Sequence, residues 1–240
     1  MTDELGAFWV FLSDSPLLGL TITLLAFLAA TWFWERTGRH ALAHPVLPAI
    51  LLLMGFLWVT GIEYQTYFDG AQYIHFLLGP ATVALAIPLY DHLARIRELL
   101  VPLLVAGTVG AATAALSAVG VALALGASRE TLLSLAPKSV TSPIAMGIAE
   151  KIGGLPSLTA GLVLITGTMG CITAPLVFRV LRLRDESVQG FALGVAAHGF
   201  GTAQAFGISA LAGAFAGLGL GLAGILTALI LPLLPLLLPG

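Results

Sequence analysis

Residues 155–181 read LPSLTAGLVLITGTMGCITAPLVFRVL, with no charged side chain before Arg179 and with Arg182 and Arg184 following at once. A helix needs roughly 20 apolar residues to cross a bilayer, so this stretch alone predicts a transmembrane span closed by a basic end. The same reading extends outward to Leu17–Trp34, Pro45–Ile62, Leu99–Gly126 and Ile208–Leu238. Glu35, Arg36, Arg39 and His40 close the first of these beside Trp32 and Trp34, at the interfacial position such rings favour. Composition agrees, since 58% of the 240 residues are hydrophobic, 9% are charged and mean hydropathy is +1.02. A soluble domain carries roughly 25% charged residues, so the expected fold is an all-α integral membrane protein, one multi-span helical bundle over residues 1–240. The length fits about six to eight crossings.

The formal net charge of −2 gives no basic face for nucleic acid. Cys171 is the only cysteine, so an intrachain disulfide is excluded and the thiol reads as a packed apolar group. The N-terminus has Asp3, Glu4 and Asp14 but no basic residue, unlike a cleaved secretory signal. The first span is therefore expected to remain in the mature chain. Arg36/Arg39, Arg95/Arg97 and Arg179/Arg182/Arg184 should be cytoplasmic, with the N-terminus and the unbasic loop 63–72 outside. Leu99–Gly126 and Leu155–Leu181 then run in opposite directions.

Two stretches are poor regular helices. Tyr73–Tyr90 is broken by Gly79-Pro80 and Pro88 and leads into a charged loop, Asp91–Glu98; Leu135–Gly154 contains Pro137, Lys138, Ser139, Thr141, Ser142, Pro143, Glu150 and Lys151. They are related. Leu78-Gly79-Pro80-Ala81-Thr82-Val83, continuing to Ile87, aligns with Leu135-Ala136-Pro137-Lys138-Ser139-Val140, continuing to Ile144. Gly107-Thr108-Val109-Gly110, Thr113-Ala114 and Leu116 align with Gly167-Thr168-Met169-Gly170, Thr173-Ala174 and Leu176, the offset shifting by three between blocks. Two copies of a broken segment followed by a long span, opposed in direction, predict inverted repeats with cores at about 73–126 and 131–181. Secondary transporters place interrupted helices of this kind together near the midplane.

Lys138, Ser139, Thr141 and Ser142 form the candidate anion site. In a helix beginning at Pro137, residues 138, 141 and 142 share a face, and a helix N-terminus offers free N–H donors and a positive dipole end to a carboxylate. The bland alternative is an interfacial lysine snorkelling to water. Thr82 is the repeat counterpart of Ser139. His198, followed by Thr202 and Gln204 and flanked by candidate helix breaks at Gly199 and Gly201, titrates in the range that suits proton coupling; a packed neutral histidine is the competing reading. The Gly-x-x-x-Gly spacings at Gly190/Gly194, Gly213/Gly217 and Gly217/Gly221 read as packing faces, which also suggest a homodimer. Glu150-Lys151 reads as an interfacial ion pair. No carboxylate pair, His/Cys metal set or nucleophile elbow occurs, so neither catalysis, a metal nor a cofactor is expected.

Leu78–Leu89 (LGPATVALAIPL), Pro137–Glu150 (PKSVTSPIAMGIAE), Thr166–Pro175 (TGTMGCITAP) and Gly190–Ala205 (GFALGVAAHGFGTAQA) resemble the LrgB/CidB family, from about residue 45 to the end of the chain. The resemblance implies an antiholin-like, autolysis-modulating protein of the cell inner membrane, working beside a smaller LrgA/CidA-type membrane partner. The membrane domain of the plastid glycolate/glycerate translocator is similar, and bacterial pairs are linked to pyruvate. A transporter of small monocarboxylates is therefore the leading expectation and a modulator of murein hydrolases the alternative.

Overall fold

The computed structural model describes residues 16–38, 43, 45–77, 80, 83–84 and 86–236, helices joined by short turns and extended links with no strand among the described residues. Gly79 and Thr82 lie outside the described residues, whereas Pro80 is an exposed helical residue. The chain divides into two compact units, Met1–Ala84 and Leu85–Gly240.

The first unit holds α1 (Pro16–Arg36), α2 (Val46–Thr60) and α3 (Tyr64–Phe76). Gly61, at φ 68°, ends α2 in the left-handed conformation that glycine adopts freely. The segment 63–72, expected as a loop, is instead most of α3. Its aromatic residues fall at helical spacing: Tyr64 stacks on Phe68 at 5.7 Å, and the Tyr67 hydroxyl meets the Thr23 hydroxyl of α1 at 2.8 Å. Gly19 lets α1 approach the Tyr67 carbonyl of α3 with no side chain between. At the end of α1 the Arg36 guanidinium lies 4.9 Å from the centre of the Trp32 ring.

The second unit comprises α4 (Ala86–Asp91), α5 (Leu93–Glu98), α6 (Leu100–Ala124), α7 (Arg129–Leu135), α8 (Ser142–Ile152), α9 (Pro156–Val180), α10 (Glu186–Phe206), α11 (Ala210–Ile230) and a 3-10 turn, Leu231–Leu236. Residues 91–98, expected as a charged loop, contain the short helix α5, whose Ile96 is buried while its arginines face outward. Among the described residues four helices are long and apolar enough to span a membrane: Leu17–Arg36, Leu100–Ala124, Pro156–Val180 and Ala210–Pro235. The long helices are apolar on both faces. On α6 a stripe of Leu103, Gly107, Ala111, Ala115 and Val119 is buried, while Val101, Val105, Val109 and Leu116 are exposed, as lipid-facing positions require. On α9 the buried stripe is Thr159, Val163, Gly167, Cys171 and Ala174.

Direction follows from two sets of bonds. The Arg95 guanidinium of α5 donates to Asp185, just before α10, at 2.9 Å, so the start of α6 and the end of α9 lie at one end of the unit. At the other end the Ser134 hydroxyl accepts from Leu155 N–H at 2.7 Å and the Ser134 carbonyl from the Thr159 hydroxyl at 2.9 Å, tying α7 to the start of α9. The two 25-residue helices α6 and α9 are therefore antiparallel.

α10 is not one helix. Ala197 (φ −129°, ψ 16°) and His198 (φ 42°, ψ −128°) leave helical geometry, and the chain reverses there. Gly201 touches the Leu193 carbonyl in the first arm, and the Ser209 hydroxyl returns to Glu186 at 2.6 Å. The break falls at Ala197–His198 rather than at the predicted Gly199 and Gly201. Both glycines are helical, and Gly201 serves the close approach of the two arms. α11 then runs beside the first arm in the same direction, Gly190 meeting the Ala212 carbonyl and Gly194 that of Ala216. These glycine faces are thus used within the chain.

Candidate functional site

At ~1.5 Å per residue, the first arm of α10 extends about 17 Å from Glu186 to its reversal, roughly half of a ~30 Å hydrocarbon core. The tip is packed and polar. His198 is buried, and its Nε2 lies 3.1 Å from the Val163 carbonyl of α9. Its own carbonyl accepts from the Thr202 hydroxyl at 2.9 Å, and the Phe200 ring sits 5.4 Å from the imidazole. Gly167, at the centre of α9, makes room for both rings, since a Cβ there would come within 2.6 Å of Phe200 Cδ2 and 2.8 Å of His198 Cε1. Gln204 lies further along the second arm and donates from Nε2 to the Cys171 carbonyl at 3.2 Å, leaving a buried Oε1 with no hydrogen-bond partner.

The second polar break enters from the opposite end. α7 stops at Leu135, residues 136–140 form turns with Lys138 N–H on the Leu135 carbonyl and Val140 N–H on the Pro137 carbonyl, and α8 begins at Ser142. This corrects the expected helix start at Pro137. Thr141 is extended (φ −60°, ψ 146°), and Pro143 occupies the first turn of α8, where its missing N–H leaves no bond unmade. Lys138 therefore lies in the turn before the helix rather than on its first face. Its ammonium is half-buried, donates to the Ser139 hydroxyl at 3.4 Å, and has no acidic partner among the described residues. The Thr141 hydroxyl makes no cap bond to α8, so that helix end is uncapped by a side chain.

The two breaks adjoin one core. Val140 and Ala145, on either side of the Lys138 turn and α8 start, share a buried cluster with Val163, Phe191, Val195 and Phe215. Val163 is the residue whose carbonyl meets His198. No hydrogen bond joins Lys138, Ser139, Thr141 or Ser142 directly to His198, Thr202 or Gln204, so the sequence-derived residues form two groups, one at each break. Glu150 and Lys151 are exposed and make no ion pair with each other. The groups missed by sequence reasoning are the Val163 carbonyl, Phe200 and the reversal at Ala197; Gly167 was legible only as the repeat partner of Gly107. No cluster of three or more His, Cys, Asp and Glu exists among the described residues.

The chain thus carries two polar, interrupted segments between apolar spans. No solved structure matches it. It is 35% identical over 218 residues to the protein YwbG of Bacillus subtilis strain 168, described as uncharacterized, covering 91% of this chain and 96% of the relative. The likewise uncharacterized YxaC of the same strain is 39% identical over 193 residues, 80% and 84% of the two chains. The antiholin-like protein LrgB of Bacillus cereus strain B4264 is 28% identical over 219 residues, 91% and 95% of the two. The model of the LrgB-like family matches residues 23–237, and this membrane protein belongs to that family.

Proposed function

We propose that the chain is an antiholin-like protein of the cell inner membrane that modulates murein hydrolase activity and autolysis beside a smaller LrgA/CidA-type membrane partner. The observation that carries this reading is the match, over 91% of the chain, to relatives described as antiholin-like. Its test is the rate of detergent-induced lysis in cells lacking their own family member, with the chain expressed alone and together with such a partner. Slower lysis that requires the partner supports the reading; lysis indifferent to both removes it. A homodimer belongs to this reading and has to use surfaces other than Gly190 and Gly194, which are occupied within the chain.

A second reading, transport of a small monocarboxylate of the pyruvate, glycolate or glycerate type, rests on a specific observation. Two interrupted segments enter one unit from opposite ends and adjoin a common cluster, one bearing an unpaired half-buried lysine and the other a buried histidine. Irregular backbone at membrane depth is tolerated where it is enclosed by protein or lines a cavity. In this reading residues 73–126 and 131–181 are inverted repeats with re-entrant segments expected at Gly79-Pro80, of which Gly79 lies outside the described residues, and at Pro137–Pro143, while the break in α10 belongs to neither repeat. Matched positions support the repeat: Leu103/Val163, Gly107/Gly167 and Ala111/Cys171 are all buried, and Thr108 and Thr168 each bond the carbonyl four residues back. Saturable uptake of labelled pyruvate, glycolate or glycerate into liposomes carrying the purified chain tests it. Uptake no faster than in empty liposomes excludes it.

A further inference from the structure

The end of α9 carries a feature that neither reading uses. Arg179, Arg182 and Arg184, with Phe178, Leu183 and Gln189, line an open cavity of about 400 Å3. All three guanidinium groups are exposed, and none pairs with a carboxylate among the described residues. The neighbouring acids are already engaged: Asp185 binds Arg95, the Ser187 hydroxyl and the N–H groups of Ser187 and Val188, while Glu186 accepts from Ser209. The cavity therefore presents three arginines with no carboxylate paired to them among the described residues.

Backbone geometry adds an independent observation. Leu183 N–H bonds the Phe178 carbonyl at 2.9 Å and Arg182 N–H the Arg179 carbonyl at 3.2 Å, the two bonds of a Schellman helix stop. The residue in its left-handed position, normally glycine, is Arg182 at φ 54°. A side chain is strained there. Loop orientation in the membrane needs only positive charge near the span, and Arg179 and Arg184 supply it without strain. The position lies at the end of the span Pro156–Val180, beside exposed Val177, Val180 and Leu181. That is headgroup level, with acyl chains alongside.

We propose that this cavity binds the phosphate of an anionic phospholipid headgroup, with Arg182 held in a strained conformation to complete a three-arginine clamp. Basic pockets at the ends of membrane helices take such headgroups, and each arginine near a charged surface contributes about fivefold in affinity. Native mass spectrometry of the purified full chain, titrated with phosphatidylglycerol or phosphatidylcholine, measures the binding. Saturable binding of phosphatidylglycerol over phosphatidylcholine is expected. Arg182→Gly should weaken it about fivefold while the melting temperature in detergent stays level or rises, because glycine relieves the strain. The triple change Arg179→Gln, Arg182→Gln, Arg184→Gln should weaken it by about a hundredfold. Equal binding of the two lipids, unchanged binding by Arg182→Gly, or weaker binding with a lowered melting temperature would overturn the proposal. Displacement of the lipid by millimolar inorganic phosphate would instead make this a free-anion site and overturn the lipid assignment.

Discussion

Lys138 is the residue on which the transport reading turns. A carboxylate entering a membrane cavity loses hydration that only pairing and hydrogen bonds replace, and this ammonium, with Ser139 alone as partner, is available to do so. Removing one member of a buried charge pair costs about 3–5 kcal/mol, roughly a hundredfold or more in affinity. Lys138→Gln should therefore abolish liposome uptake, and Lys138→Arg, which keeps charge with altered geometry, should retain part of it. Normal uptake by Lys138→Gln returns the residue to an interfacial anchor. Gly167 offers a test of structure at the same scale. Gly167→Ala pushes a methyl group into Phe200 and His198, and such overpacking typically costs about 1–3 kcal/mol. The melting temperature in detergent should fall by several degrees, whereas Gly161→Ala, with open space at its Cβ position, should leave it nearly unchanged.

At the scale of elements, the folded-back α10 is held at its open end by polar bonds outside the membrane span. The Ser187 hydroxyl, aided by the backbone N–H groups of Ser187 and Val188 and by Arg95, holds the Asp185 carboxyl below the usual carboxylate range against a smaller opposing effect of burial. A group whose folded pKa is depressed stabilises the fold above its unfolded value, near pH 4, and loses that contribution as pH falls through the folded value. Asp185→Asn should flatten the decline of melting temperature below about pH 4. A decline as steep as in the parent protein would show that other carboxylates carry it. The closed side depends on Gly190 and Gly194 against the backbone of Ala212 and Ala216. Backbone cannot rotate aside as a side chain does, so Gly194→Leu should prevent α11 from docking and leave a protein that aggregates on extraction.

For the second unit as a whole, the Arg95–Asp185 pair and the Ser134–Thr159 bonds imply which connections share a membrane face. In a Cys171→Ser background, Glu98→Cys and Arg184→Cys should react with a membrane-impermeant maleimide from the same side, and Leu125→Cys from the opposite side. Labelling of Glu98→Cys and Arg184→Cys from different sides would contradict antiparallel α6 and α9.

Composition and hydropathy by themselves determined the all-helical membrane class and four of the five long spans, because a helix crossing lipid satisfies its own backbone and leaves an uninterrupted apolar run in the sequence; the fifth, Pro45–Ile62, holds only the 15-residue α2. The strings around Lys138 and His198 likewise carry the family by themselves. The segment 63–72 is polar enough to read as a loop, yet most of it is helical: Tyr64 on Phe68 is a local contact four residues apart within α3, and the Tyr67 hydroxyl on Thr23 is the tertiary contact that ties it to α1. The sequence points to a break in α10 at Gly199 and Gly201, since glycine is the residue that bends most freely. Only tertiary structure placed it at Ala197–His198, where the Val163 carbonyl, the space left by Gly167 and the pairing of the two arms hold a histidine at positive φ. Local propensity cannot foresee such a conformation, because the energy that maintains it comes from residues more than thirty positions away.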